Sequence, residues 1–193
     1  MAGLGETAVR YARASAKAAI LGGKKPTMKL PPEFSENRGV FVTIKDYPSG
    51  ELLGCIGYPE PTHPLAEALA GSAVSAALED PRFPPLTKDT VEWATFEVTI
   101  LSKPEPFDVP NADLPKVVEV GRHGLILSFG GARGLLLPQV PTEQGWDVLE
   151  YLEGLSRKTG LGKDAWKDPG AKISWFTGEI YAEIDPNGRV ERL

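Results

Sequence analysis

The sequence predicts an α+β fold, with two similar hairpin-helix-strand half-units, antiparallel sheets, and two subdomains sharing a cleft. Three observations predict it. Runs rich in β-branched and aromatic residues come in pairs separated by short glycine-bearing turns, which pairs them antiparallel. The helical segments are too few to cross over every strand, which argues against a doubly wound parallel sheet. Hairpin, helix, Asp-Pro turn and long strand then occur twice in the same order, with turn glycines at Gly50 and Gly131 and Asp-Pro steps at Asp80 and Asp168. The first half-unit spans about 38–103 and the second about 120–186, inside a single domain over about 5–184.

The first element is an amphipathic helix from Leu4 to Ile20. Ala8, Tyr11, Ala12, Ser15 and Ala19 form a small-residue stripe at helical spacing, Arg10, Arg13 and Lys17 lie on a solvated face, and Gly22-Gly23 stops it. Residues 26–38, with Pro31-Pro32, read as a loop. Val40-Phe41-Val42-Thr43-Ile44 is a strand, Pro48-Ser49-Gly50 a turn, and Leu52 to Gly57 the return strand. Pro64 suits a first helical position before a helix from Leu65 to Leu78, which the rigid turn Asp80-Pro81-Arg82-Phe83-Pro84-Pro85 ends. Val91 to Leu101 is a long strand that turns Ala94, Phe96, Val98 and Ile100 to one side and Thr95, Glu97 and Thr99 to the other. In the second half, 124–129 and 133–137 form a hairpin about Gly130-Gly131. Thr142 caps a helix carrying Trp146, Leu149, Leu152 and Leu155, and a final strand runs from Ile173 to about Ile184.

Composition bounds the function. At 193 residues and 41% hydrophobic, the chain buries roughly 70% of its unfolded surface and needs no disulfide or structural metal. One cysteine, Cys55, excludes an intramolecular disulfide and points to a reducing, cytoplasmic setting. No stretch is long and apolar enough to predict a membrane span or secretion signal. The net charge of −5 is unlike a nucleic-acid binder, although residues 1–38 carry seven Lys/Arg against three Glu. Eighteen prolines against five Asn and Gln hint at a thermophilic source.

The motifs of several chemistries are absent. There is no G-x-S-x-G, no G-x-G-x-x-G after a strand, no C-x-x-C and no H-E-x-x-H. Gly160-Leu161-Gly162-Lys163-Asp164 has Asp where a phosphate loop needs Ser or Thr for its metal. Only Cys55, His63 and His123 are soft ligands, so no metal site and no cofactor are expected. The sharpest local feature is Leu53-Gly54-Cys55-Ile56-Gly57, where flanking glycines let another backbone or a ligand approach the cysteine. Two readings stay open: an inert strand cysteine packed beside Ile56, or a thiol nucleophile or ligand contact.

That segment resembles the signature of the AMMECR-type domain family, named for a human chromosomal region linked to Alport syndrome, midface hypoplasia and elliptocytosis. The resemblance continues through 40–44, Asp80 to Pro85, Glu97-Val98, Gly121-Arg122-His123-Gly124-Leu125, Leu137 to Val140 and Gln144-Gly145-Trp146-Asp147, so it covers nearly the whole chain. One departure is Leu53, where the family pattern usually has arginine; an anion-binding role there would pass to Arg38 or Arg82. The resemblance implies two subdomains with a cleft between them and no established activity. It also brings in Memo-like and radical SAM proteins, with which prokaryotic relatives are associated, as candidate partners. Its motifs single out Cys55, His123 and Glu97 as catalytic candidates and Arg82, Asp80, Gly54 and Gly57 as substrate-binding candidates. Each polar group also has a plain structural use: Asp80 capping its turn, Arg82 pairing with Asp80, Glu97 solvated, His123 in a loop or core. An enzyme with Cys55 as nucleophile or ligand, His123 or Glu97 moving a proton and Arg82 clamping an anion is one hypothesis. A non-catalytic adaptor module is the alternative. Nucleic-acid binding through the N-terminal basic segment is disfavoured.

Overall fold

A computed structural model describes residues 3–193. In chain order the elements are α1 (Leu4–Ile20), β1 (Val40–Asp46), β2 (Leu52–Tyr58), α2 (Leu65–Leu78), α3 (Lys88–Glu92), β3 (Ala94–Leu101), β4 (Glu105–Pro106) and α4 (Leu114–Val117). They continue with β5 (Gly124–Phe129), β6 (Ala132–Leu136), α5 (Gln139–Gln144), α6 (Val148–Lys158), β7 (Lys172–Phe176), β8 (Gly178–Glu183) and β9 (Val190–Arg192). The fold is α+β with two sheets, ordered β2-β1-β3-β8-β9 and β4-β7-β5-β6. The chain divides into two compact units, one of residues 1–101 with 179–193 and one of 102–178.

In the first unit, β1 pairs antiparallel with both β2 and β3. Alternation along β1 sends Val40, Val42 and Ile44 into a core shared with Phe96 and Val98 of β3, and α1 and α2 supply Ala8, Ala12, Leu69, Ala73 and Ala76 to it. The many alanines of α2 let a helix backbone approach the strands closely. The expectation that Arg13 lies on a solvated face is overturned, since Arg13 is 4% exposed. Its guanidinium donates to both carboxylate oxygens of buried Glu183 and to the carbonyls of Val91 and Ala94, and it lies 4.6 Å from the Phe96 ring centre. Arg10 donates to the same carboxylate at 3.1 Å, and the Phe96 N–H at 3.0 Å. A basic residue on an apolar-facing turn is buried here because a carboxylate over 160 residues away is delivered to meet it.

In the second unit, β5 lies between β6 and β7, antiparallel to both. The strand order β6-β5-β7 therefore matches β2-β1-β3 in the first sheet. Its core is built of Leu125, Leu127, Tyr151, Leu152, Leu155, Trp166 and Ile173.

Four boundaries differ from the sequence expectation, each for a local reason. Val91 and Glu92 belong to α3, which starts at a reciprocal cap between Thr87 and Thr90 rather than the usual Ser/Thr-to-Glu pair. Pro64 is the capping residue of α2 and Leu65 its first helical residue. Thr142 lies inside α5, which ends at Gly145 with φ +67°, and α6 is capped instead by Asp147 and Glu150. The strand expected from Ile173 to Ile184 is two strands in different sheets, broken at Thr177, whose N–H donates to the Ser102 hydroxyl at 3.0 Å.

Candidate functional site

The strand β2 is an edge strand, so half of its backbone groups have no neighbouring strand to bond. Gly54 faces α2 at very short range: a Cβ there would sit 2.0 Å from the Ala76 carbonyl oxygen. With Gly54 turned to the helix, Cys55 turns to the opposite, outward face of the sheet. Gly57 is likewise filled by the fold, because a Cβ would meet the Phe41 ring at 2.4 Å.

Cys55 is opposite Thr43 on β1, and its Sγ lies 3.2 Å from the Thr43 hydroxyl. In such a pair the backbone groups of the edge residue point away from the partner strand. Both are taken. The Cys55 N–H donates to Asp80 Oδ2 at 2.9 Å, and the Cys55 carbonyl accepts from Arg82 Nη2 at 2.9 Å. A carboxylate and a guanidinium thus stand where the next strand would be.

The turn that ends α2 builds this clamp. Asp80 Oδ1 accepts the N–H of Arg82 at 3.1 Å, the Asx turn that Asp favours, and Pro81 between them sets φ without competing for the carboxylate. Arg82 then grips both Asp80 oxygens, through Nε at 2.9 Å and Nη2 at 2.7 Å. Arg82's side chain, with the N–H groups of Cys55 and Arg82 adding to it, holds the Asp80 carboxyl well below the usual carboxylate range against the cost of burial. Arg82 holds its proton more tightly than usual, mainly through Asp80 and in smaller part through Cys55.

Glu97 on β3 is opposite Thr43 on the other side, so Cys55, Thr43 and Glu97 form one cross-strand row. Its carboxylate accepts from Lys45 Nζ at 2.8 Å. Beyond the row the same face opens into a groove of about 300 Å³, with Lys45, Thr95 and Glu97 on one side and Ala182, Ile184 and Leu193 on the other.

The structure therefore brings Cys55, Asp80 and Arg82 into direct contact and places Glu97 two strands away on the same face. Gly54 and Gly57 shape the strand from either side. His123 belongs to the second unit, just before β5, and is 7% exposed. Its ring lies against Trp175 and Phe107, at centroid distances of 4.9 and 5.9 Å, and Nδ1 accepts the Glu119 N–H at 3.1 Å. Burial lowers its proton affinity. His63 is a surface residue bonded to Thr62 and stacked near Tyr58. Arg38 is bound to Glu36 and to the Leu101 carbonyl. Leu53 packs, partly buried, against the core.

Thr43 and Lys45 were not singled out from the sequence. The alternation of β1 puts both on the outward face, but only the strand register says that they stand beside Cys55 and Glu97. Among the described residues, no group of three or more His, Cys, Asp or Glu side chains is placed to hold a metal ion, and no helix is long and apolar enough to cross a membrane.

The chain is similar to known proteins along nearly its full length. A protein of Aquifex aeolicus is 48% identical over 85% of this chain and 84% of its own. A Thermoplasma acidophilum protein is 47% identical over 98% and 92%. Both organisms are thermophiles. The crystal structure of uncharacterized protein PH0010 from Pyrococcus horikoshii superposes with a TM-score of 0.82 at 42% identity, covering 98% of this chain and 96% of that one. The AMMECR1 family profile matches residues 9–181, which take in the Cys55 strand, its Asp80-Arg82 clamp, the Glu97 strand and the His123 turn: the chain belongs to the AMMECR1 family.

Proposed function

We propose that this protein is a thiol-centred enzyme acting on a small molecule or on a protein group. Cys55 is its nucleophile or ligand contact, Arg82 the positive charge beside it, and the groove next to Glu97 the seat of the rest of the ligand. The observation that carries this reading is the fixing of Cys55. Its N–H, its carbonyl and its sulfur each have a partner, while the residue stays half-exposed. The Arg82 guanidinium on its carbonyl and the Thr43 hydroxyl 3.2 Å from its sulfur hold the thiol in one geometry, and a fixed, accessible thiol is what nucleophilic catalysis by cysteine requires. Of the two proton-transfer candidates, Glu97 is on this face, across Thr43 from the sulfur.

A non-catalytic binding module is the second reading. It is supported by the fact that Asp80 and Arg82 already spend most of their hydrogen bonds on each other and on Cys55's backbone. The Memo-like and radical SAM proteins that the family resemblance brings in are its proposed partners.

One experiment separates the two. The rate of Cys55 alkylation by iodoacetamide is measured from pH 5 to 10 beside a free-cysteine peptide. An enzyme thiol reacts faster than the peptide at pH 7, with an inflection well below the ordinary value of about 8.5. A thiol that stays unreactive below about pH 8 removes the nucleophile and leaves the binding module.

A further inference from the structure

We infer that His123 is a proton-sensitive latch on the turn 119–123 that leads into β5, closed when the imidazole is neutral and opened when it takes a second proton. The turn is tied by a reciprocal pair of bonds. The Glu119 N–H donates to His123 Nδ1 at 3.1 Å, and the His123 N–H donates to the Glu119 carbonyl at 2.9 Å. A ring nitrogen that accepts an N–H carries no proton, so the neutral ring holds its hydrogen on Nε2. A second proton from solvent must then add to Nδ1. That nitrogen becomes a donor facing the Glu119 N–H, and the side-chain bond of the pair is lost.

The surroundings make the ring a switch rather than an ordinary surface histidine. The rings of Trp175 and Phe107 pack against it, tilted and edge-on, and offer no hydrogen-bond acceptor in place of solvent. The charged groups near it come from its own turn. The Glu119 carboxylate favours the imidazolium, but it is bonded to Arg122 at 2.8 and 2.9 Å, and the Arg122 charge opposes it. From α6, the Tyr151 hydroxyl donates to the His123 carbonyl at 3.0 Å and to the Leu136 carbonyl at 3.2 Å, which anchors the C-terminal end of the turn. Opening therefore releases the Glu119 N–H, while the Arg122 and His123 N–H groups stay on the Glu119 carbonyl, at 3.2 and 2.9 Å, and β5 stays in place. Gly121, at φ +84°, is the backbone position where the turn reverses.

The sign follows from burial. Because the folded protein lowers the proton affinity of His123, the unfolded chain binds more protons below about pH 6.5, and the latch loses its hold as the pH falls through that value toward the folded one.

The test is nuclear magnetic resonance of the whole chain from pH 8 to 5. The His123 ring nitrogens should show the Nε2–H form at high pH and titrate below 6.5. The Glu119 amide should lose about tenfold of its exchange protection, corrected for intrinsic rates, with the same midpoint, as expected for one net hydrogen bond. The Trp175 indole signal should move with it. Asn at this position keeps an acceptor oxygen near Nδ1 without a titrating group, so His123→Asn should keep Glu119 protected throughout the range. Glu119 protection that stays constant in the wild-type chain while His123 titrates overturns the latch. So does a ring that does not titrate above pH 5, or an Nδ1–H form at high pH.

Discussion

Asp80 has more hydrogen-bond duties than any other candidate side chain. It accepts from two backbone N–H groups and from two positions on one guanidinium, and through them it fixes where Cys55 sits. Asp80→Asn removes the charge and turns one acceptor into a donor facing a donor. A loss of about 1.5–3 kcal/mol in urea unfolding is expected, the range for hydrogen bonds to a charged group. The pH dependence has a definite sign. An unfolded aspartate titrates near 4, and the folded value lies far lower, so the clamp contributes fully above about pH 4 and weakens as acid takes the pH below it. The Asn variant should lack that part of the acid slope. His63 and Arg38 show the opposite case, candidate residues whose side-chain bonds go to Thr62, to Glu36 and to the Leu101 carbonyl and not to Cys55.

At the scale of elements, the candidate site depends on how closely α2 lies on β2. An edge strand invites pairing with another chain, and here the Asp80-Arg82 turn closes the edge at Cys55. The turn reaches the strand only because α2 packs against Gly54 with its backbone. Gly54→Ala places a methyl carbon 2.0 Å from the Ala76 oxygen, and since backbone is in the way, the helix must move. We expect a loss of about 3 kcal/mol or more in thermal or urea unfolding. The displaced turn should also weaken Cys55's N–H bond to Asp80, seen as faster exchange of the Cys55 amide. Unchanged stability in this variant would mean that α2 is not held where the strand requires it.

At the scale of the molecule, the first unit is assembled from both ends of the chain, residues 1–101 and 179–193. Glu183, near the end of β8, is the carboxylate that Arg13 and Arg10 of α1 close on. Glu183→Ala leaves the buried Arg13 guanidinium without its anion, and the half-exposed Arg10 without one of its partners. The expected cost is about 3–5 kcal/mol, measured by chemical unfolding. Replacing Arg13 and Glu183 together with methionine should cost much less, because the penalty comes from a buried charge left alone rather than from the pair itself. The N-terminal basic segment is thus partly a structural device. Arg13 is consumed inside the unit and Lys17 pairs with Glu92 at 2.7 Å, which takes two charges out of any polyanion surface.

Local pattern determined most of the elements: α1, both hairpins, α2 and the outward position of Glu97 follow from periodicity, turn glycines and prolines, because these act within a few residues. Its failures were also local. Thr90 in place of an acidic third residue hid α3, and Thr142 drew attention from the Asp147-Glu150 cap. The sequence motifs also marked Cys55, Asp80 and Arg82, but not that two of them grip the backbone of the third. That depended on strand register and on α2 ending beside β2, and both are set by long-range packing. The same holds for Arg13 buried on Glu183 and for the split of 173–184 between two sheets. In each, the deciding partner lies far along the chain, and burial energy, not the local residue pattern, selects it.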